Sequence, residues 1–163
     1  MPNGMTRRER QLTDESHIRH ILDTAKVVHL GMVDGDEPYV VPMNYGYIWE
    51  EGKLTLYLHG ARRGRKLNAL RVNPRVFFEM ECDLHPFANE VACKYGMAYS
   101  SLMGKGRAVI VEDVAEKQKS LTVLMQTQAG KTFTFTEKLA DVVGVIRIDV
   151  EEFTAKHRPI PND

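Results

Sequence analysis

The segment HGARRGRK, from His59 to Lys66, places Arg62, Arg63, Arg65 and Lys66 almost side by side. Leu67 and Leu70 follow three apart and Asn73-Pro74 ends the pattern, so these cations fall on the first turn of a short helix. A helix N-terminus carries partial positive charge and unpaired N–H groups, and it ordinarily attracts carboxylates. Four cations there either extend into water at little cost or surround an anion. A phosphate held between the N–H groups and the charged heads would reverse the local sign.

Three other groups of residues could take part in chemistry. In YVVPMNYGYI, Pro42 removes a ladder donor in mid-strand, and Asn44 and Gly46 share its face. This strand is either a bulged edge or is opened for something other than a neighbouring strand, such as a flat ring. Ser100-Ser101 followed by Gly104 and Gly106 reads either as solvent-facing serines with barrel-corner glycines or as a ligand-contacting strand. Cys82, His85 and Cys93, spaced C-x2-H-x7-C, offer three ligands where a structural zinc usually has four, so no metal site is predicted. No hydrolase triad and no acid pair at interpretable spacing is visible.

HGARRGRK followed by NALRVNPRVFFE resembles the segment that binds the flavin phosphate in FMN-binding split barrels, the pyridoxamine 5′-phosphate oxidase-like superfamily. The likeness is greater to its nitroimidazole-resistance (NimA-like) branch and extends over nearly the whole chain. The resemblance implies FMN as cofactor. Arg65 and Lys66 would hold its phosphate, helped by Arg62 and the backbone around Ala61, and the main chain of Val41, Pro42, Met43 and Asn44 would run along the isoalloxazine edge. Ser100 and Ser101 resemble the family's serine-then-glycine strand, and Phe153–His157 its closing segment with a lysine. His59 aligns with a histidine beside the flavin in the nitroimidazole-resistance proteins and is the candidate catalytic residue.

The resemblance also implies a homodimer with its FMN sites at the subunit interface. The substrate-binding pattern of true pyridoxamine phosphate oxidases near the C-terminus is not matched. The function expected is therefore an FMN-binding oxidoreductase, nitroreductase-like, that reduces a small electron-poor substrate with electrons from NAD(P)H or another donor. The flavin would supply the redox chemistry and the protein the placement. The alternative is a non-catalytic flavin or haem binding, storage or sensing protein on the same barrel, with His59, His85 and His157 as available haem ligands.

The elements that must position these residues can be read along the chain. Thr13 or Asp14 caps a helix with Ile18, Ile21, Leu22 and Ala25 on its buried face, and His17 and His20 read as surface histidines beside it. KVVHLGMV and residues 39–48 form a hairpin turned at Asp34-Gly35-Asp36. Leu54, Leu56 and Leu58 alternate with polar or amphipathic residues, as do Val76, Phe78 and Met80, which marks two further strands. Residues 83–92 read as a long loop, residues 94–112 as a bent strand, and residues 114–128 as a helix capped by Asp113 and ended by Gly130. A helical turn at 136–142 and a strand at 144–150 follow. About six strands with such connections predict a mainly β protein with peripheral helices, an antiparallel split β-barrel.

At 163 residues the chain predicts one domain, taken as 13–158, with a flexible arm over 1–12 and a tail over 159–163. Lys plus Arg and Asp plus Glu both number 22, so the basic cluster is local, which argues against a nucleic-acid binder. No apolar run approaches the roughly 20 residues that span a bilayer. The expectation is a soluble cytoplasmic protein with free thiols and no membrane partner.

Overall fold

A computed structural model of the chain describes residues 6–161. The strands are β1 (Gln11–Leu12), β2 (Val27–Asp34), β3 (Glu37–Glu50), β4 (Lys53–Gly60), β5 (Arg75–Phe87), β6 (Gly96–Val111) and β7 (Gly144–Arg158). The helices are α1 (Glu15–Thr24), α2 (Arg65–Val72), α3 (Val114–Ala129) and α4 (Glu137–Asp141). The sheet runs β1-β7-β4-β3-β2-β5-β6, and β7 also pairs with β6, so six antiparallel strands close a ring with β1 appended to β7. This is the split barrel expected from the sequence. Among the described residues no helix is long and apolar enough to cross a membrane.

The alternating residues fill the ring. Val28 and Leu30 from β2, Leu54, Leu56 and Leu58 from β4, and Val76, Phe78 and Met80 from β5 are buried. They meet Leu102 from β6 and Ile146 and Ile148 from β7 in one core. α1 closes one end with Ile18, Ile21 and Leu22, capped by the Asp14 carboxylate, which accepts from the His17 N–H at 2.8 Å. The hydroxyl of the buried Tyr45 donates to the Leu22 carbonyl at 2.6 Å and ties α1 to β3. α2 adds Leu67 and Leu70.

The split lies in β3. Residues 37–44 pair with β2, then residues 45–50 pair with β4, so the strand changes neighbours at Asn44–Tyr45. Pro42 falls in the first half, where the edge that would face β4 has no strand partner among the described residues. Gly46 is opened by a helix and not by a ring: a Cβ there would stand 2.4 Å from Leu124 Cα and 2.5 Å from Leu124 N, because the α3 backbone rests directly on β3.

Several boundaries differ from the sequence reading. β5 continues through Pro86 to Phe87 after a register shift between Cys82 and His85, so the connection shortens to residues 88–95 and contains a 3-10 turn at Ala92–Lys94. β7 extends to Arg158 because β6 pairs with it as far as Tyr99↔Arg158. Of the arm expected over 1–12, residues 1–5 lie outside the described residues, while Gln11 and Leu12 pair with Lys156 and Ala155. Residues 162–163 of the expected tail also lie outside them.

Candidate functional site

α2 starts without a side-chain cap. Its N-cap is Gly64, whose φ of 134° is open only to glycine, and among the described residues no side chain caps the first turn. The first turn lies against a cavity of about 150 Å³ lined by Tyr39, Ala61, Arg63, Gly64, Arg65, Lys66 and Leu67. A chain end with free donors is where an anion binds.

The four cations divide into distinct roles. Arg65 donates to Asp34 Oδ2 at 2.6 Å and Glu37 Oε2 at 3.2 Å, and its guanidinium lies 4.4 Å from the centre of the Tyr39 ring. Those carboxylates hold it on the β2–β3 turn. Arg62 faces Asp141 at 3.4 Å. Lys66 turns inward: its ammonium is 3.2 Å from Met43 Sδ and stands 3.1 Å from where a Cβ of Gly60 would be. Among the described residues no carboxylate lies within ion-pairing distance of it. Burial lowers its pKa below the usual 10.5.

His59 is the last side chain on β4, opposite Val145 of β7. It is an exposed residue, partly desolvated by the neighbouring chain. That desolvation, and then the Lys66 charge, hold its pKa below 6.5. At neutral pH the ring is neutral, with one nitrogen carrying hydrogen and the other free to accept.

The structure thus brings Met43, His59, Ala61, Arg63 and Lys66 together beside the open half of β3. Val41 shares the face of Met43 on that half and packs on the core, while Pro42 faces away, opposite His29. Asn44 donates to the Lys26 carbonyl at 3.2 Å and to Gln128 Oε1 at 3.3 Å, so its side chain ties β3 to the end of α3. Ser100 and Ser101 are elsewhere in the same chain. Ser100 pairs with Cys82 near α1, whereas Gly60 leads through Gly144 and Val145 to Val111, at the other end of β6. The buried Ser100 hydroxyl lies between His17 Nε2 at 3.2 Å and His157 Nδ1 at 3.0 Å, and His17 is a half-buried bridging residue and not a free surface histidine.

Two lining residues were not singled out as ligands from the sequence. Arg63 sits among adjacent cations, and nothing in their spacing says which of them find carboxylates. Tyr39 reads as an ordinary strand aromatic.

These residues fit a flavin phosphate on two observations, the uncapped N-terminus of α2 and a half-buried ammonium beside a thioether with no carboxylate near it among the described residues. The ring and this site together define a split barrel of the flavin-binding type. The model of the family described as pyridoxamine 5′-phosphate oxidase matches residues 14–157, and the chain belongs to that family. One similar solved structure, from Bacteroides thetaiotaomicron, carries a proposed assignment as a 5-nitroimidazole antibiotic resistance protein. It is 29% identical, with a TM-score of 0.77 over 90% of this chain and 85% of that one. The flavocytochrome Anf3 from Azotobacter vinelandii is 22% identical, with a TM-score of 0.78 over 99% of this chain and 76% of that one. An FAD and haem binding protein from Mycobacterium smegmatis is 17% identical, with a TM-score of 0.77 over 94% and 76%. The last two share the fold. No curated protein matches the sequence.

Proposed function

We propose that the chain is an FMN-dependent oxidoreductase that acts as a homodimer on a small electron-poor substrate such as a nitroaromatic, with NAD(P)H or a similar donor supplying electrons. The observation that carries this reading is the Lys66 ammonium, half-buried, without a carboxylate partner among the described residues, and next to an uncapped helix N-terminus. Burying such a charge is costly unless an anion compensates it.

Lys66, Arg63 and the first N–H groups of α2 would hold the phosphate. Arg65 fixes the β2–β3 turn through Asp34 and Glu37, and so keeps Tyr39 against the cavity. The half of β3 that lacks a β4 partner offers main-chain groups to a flat heterocycle. When bound, the flavin supplies hydride and electron transfer. Neutral His59 can then donate or accept one hydrogen bond at a ring nitrogen to orient a substrate, and needs no protonation change at neutral pH.

The dimer is supported by an exposed apolar surface. Val33, Val40 and Phe77 line an open groove of about 380 Å³ on β2, β3 and β5, next to the β2–β3 turn that Arg65 holds. Contiguous apolar surface of this kind marks contact sites, and a two-fold contact would give two equivalent clefts. The resemblance to the nitroimidazole-resistance branch, with a similar structure at 29% identity, points to the electron-poor substrate.

The test is the visible spectrum of the purified protein, with the released chromophore identified by mass and FMN titrated in if none is present. Stoichiometric FMN and flavin-dependent oxidation of NAD(P)H by nitroaromatics support the proposal. A protein that ignores FMN, or one that holds it and turns over no donor and acceptor pair, overturns the corresponding half.

A further inference from the structure

On the side of the barrel closed by α1, three different metal-ligating side chains converge from two elements. His20 Nε2, on α1, is 3.0 Å from Asp83 Oδ2, and Cys82 Sγ, on β5, is 3.5 Å from the same oxygen. All three donor atoms lie within 4.8 Å of one another.

This convergence is not what a strand provides by default. Adjacent residues on a strand point to opposite faces, so Cys82 and Asp83 should diverge. They meet because the ladder to β6 shifts register between Cys82 and His85, and Asp83 adopts a left-handed φ of 56°. A bulge re-aims a side chain in this way. Cys82 reaches the cluster from the core and is buried, while His20 is exposed, so the group has one dry side and one open to water.

We propose that His20, Cys82 and Asp83 form a binding site for a borderline-soft divalent cation of the zinc class. Thiolate, imidazole and carboxylate together match that class and disfavour magnesium or calcium, which take oxygen ligands. The spacing agrees as well. In a tetrahedron with bonds of about 2.0–2.3 Å the ligand atoms stand about 3.3–3.8 Å apart, and the two short separations here lie close to that range before any metal draws the groups together. The exposed side leaves the fourth position to water. An outer partner is also present: Thr24 Oγ1 lies 3.5 Å from His20 Nδ1. Such partners orient metal ligands in general.

The site differs from the grouping suggested by C-x2-H-x7-C. His85 and Cys93 are both exposed, and the ligands found in space are one cysteine of that motif, its neighbour and a histidine from a helix.

The test uses the full chain with its native cofactor content, titrated with zinc by calorimetry and with Co(II) by difference spectroscopy against the metal-free protein. The expected result is one zinc per chain and a thiolate-to-cobalt charge-transfer band. His20→Ala and Asp83→Ala, both at the water-facing side, should each weaken zinc by more than the about 10–100-fold typical of outer partners. Cys82→Ser should abolish the band, and Cys93→Ser should leave it intact. Absence of stoichiometric binding, wild-type affinity in His20→Ala, or loss of the band in Cys93→Ser would each overturn the proposal. Because His20 is exposed and Asp83 only half-buried, the outcome does not depend on whether a serine is tolerated at the buried Cys82.

Discussion

The Lys66 ammonium rests 3.2 Å from the sulfur of Met43, and this contact joins the first turn of α2 to the open half of β3. One residue belongs to the uncapped N-terminal end of a helix and the other to a strand edge without a β4 partner. A bound phosphate and a bound ring would therefore share a boundary at these two side chains.

Replacement of Lys66 by alanine should weaken FMN about ten- to a hundredfold, the range of one hydrogen bond to a charged group. Arg65→Ala should weaken it less, because that guanidinium is already committed to Asp34 and Glu37. Flavin fluorescence titration of the two variants checks the order. Equal losses, or a larger loss for Arg65, would move the phosphate to the β2–β3 turn.

The affinity should also depend on alkaline pH. Burial holds the Lys66 pKa below 10.5, so its charge is lost earlier than that of a free lysine as pH rises. The flavin phosphate is already fully ionised above its second pKa of about 6 and adds no change there. FMN affinity should decline in wild type before ordinary lysines titrate, and Lys66→Arg should remove the decline, since guanidinium stays charged.

A methyl group at position 46 has nowhere to go. Gly46→Ala would place Cβ within 2.7 Å of the backbone at Val123 and Leu124. Overpacking of this kind costs about 1–3 kcal/mol, and at about 2–4 °C per kcal/mol the melting temperature should fall by several degrees. Thermal unfolding followed by circular dichroism measures it.

On the outer face of the barrel, Glu79 faces His29 Nδ1 at 3.2 Å and neighbours Glu81. Burial, then its hydrogen bond and charge repulsion with Glu81, push the Glu79 pKa from 4.5 up to about 7. The folded state thus holds a proton that the unfolded state releases, so this group favours folding below about pH 4.5 and loses that contribution as pH rises through about 7. Denaturant unfolding of Glu79→Gln between these limits should show a flatter stability profile than wild type. An unchanged slope would place the proton elsewhere.

Much of the barrel was legible because alternation survives wherever one strand face meets the core, as at Leu54, Leu56 and Leu58. Caps were legible for the same local reason: Asp113 accepts from the Glu116 N–H at 2.8 Å, and Gly130 ends α3 at a φ of 64°. The opening at Gly46 was visible as a missing side chain, but sequence does not say that a helix fills it, since Leu124 comes from far along the chain. The fates of the four cations were hidden in the same way. Asp34, Glu37 and Asp141 claim two of them through contacts that only the folded chain creates. His17 could not be told from a surface residue, because its partner Ser100 lies on the other side of the molecule in sequence.

β7 holds β4 and β1 on one edge and β6 on the other. It is translated after every one of those partners. During synthesis β2, β3 and β4 can pair as a meander, but β4 and β6 keep bare edges until β7 arrives, and such edges are open to pairing with other chains. For this protein the vulnerable interval is thus a matter of timing: both edges stay open until residues 144–158 are available to pair with them.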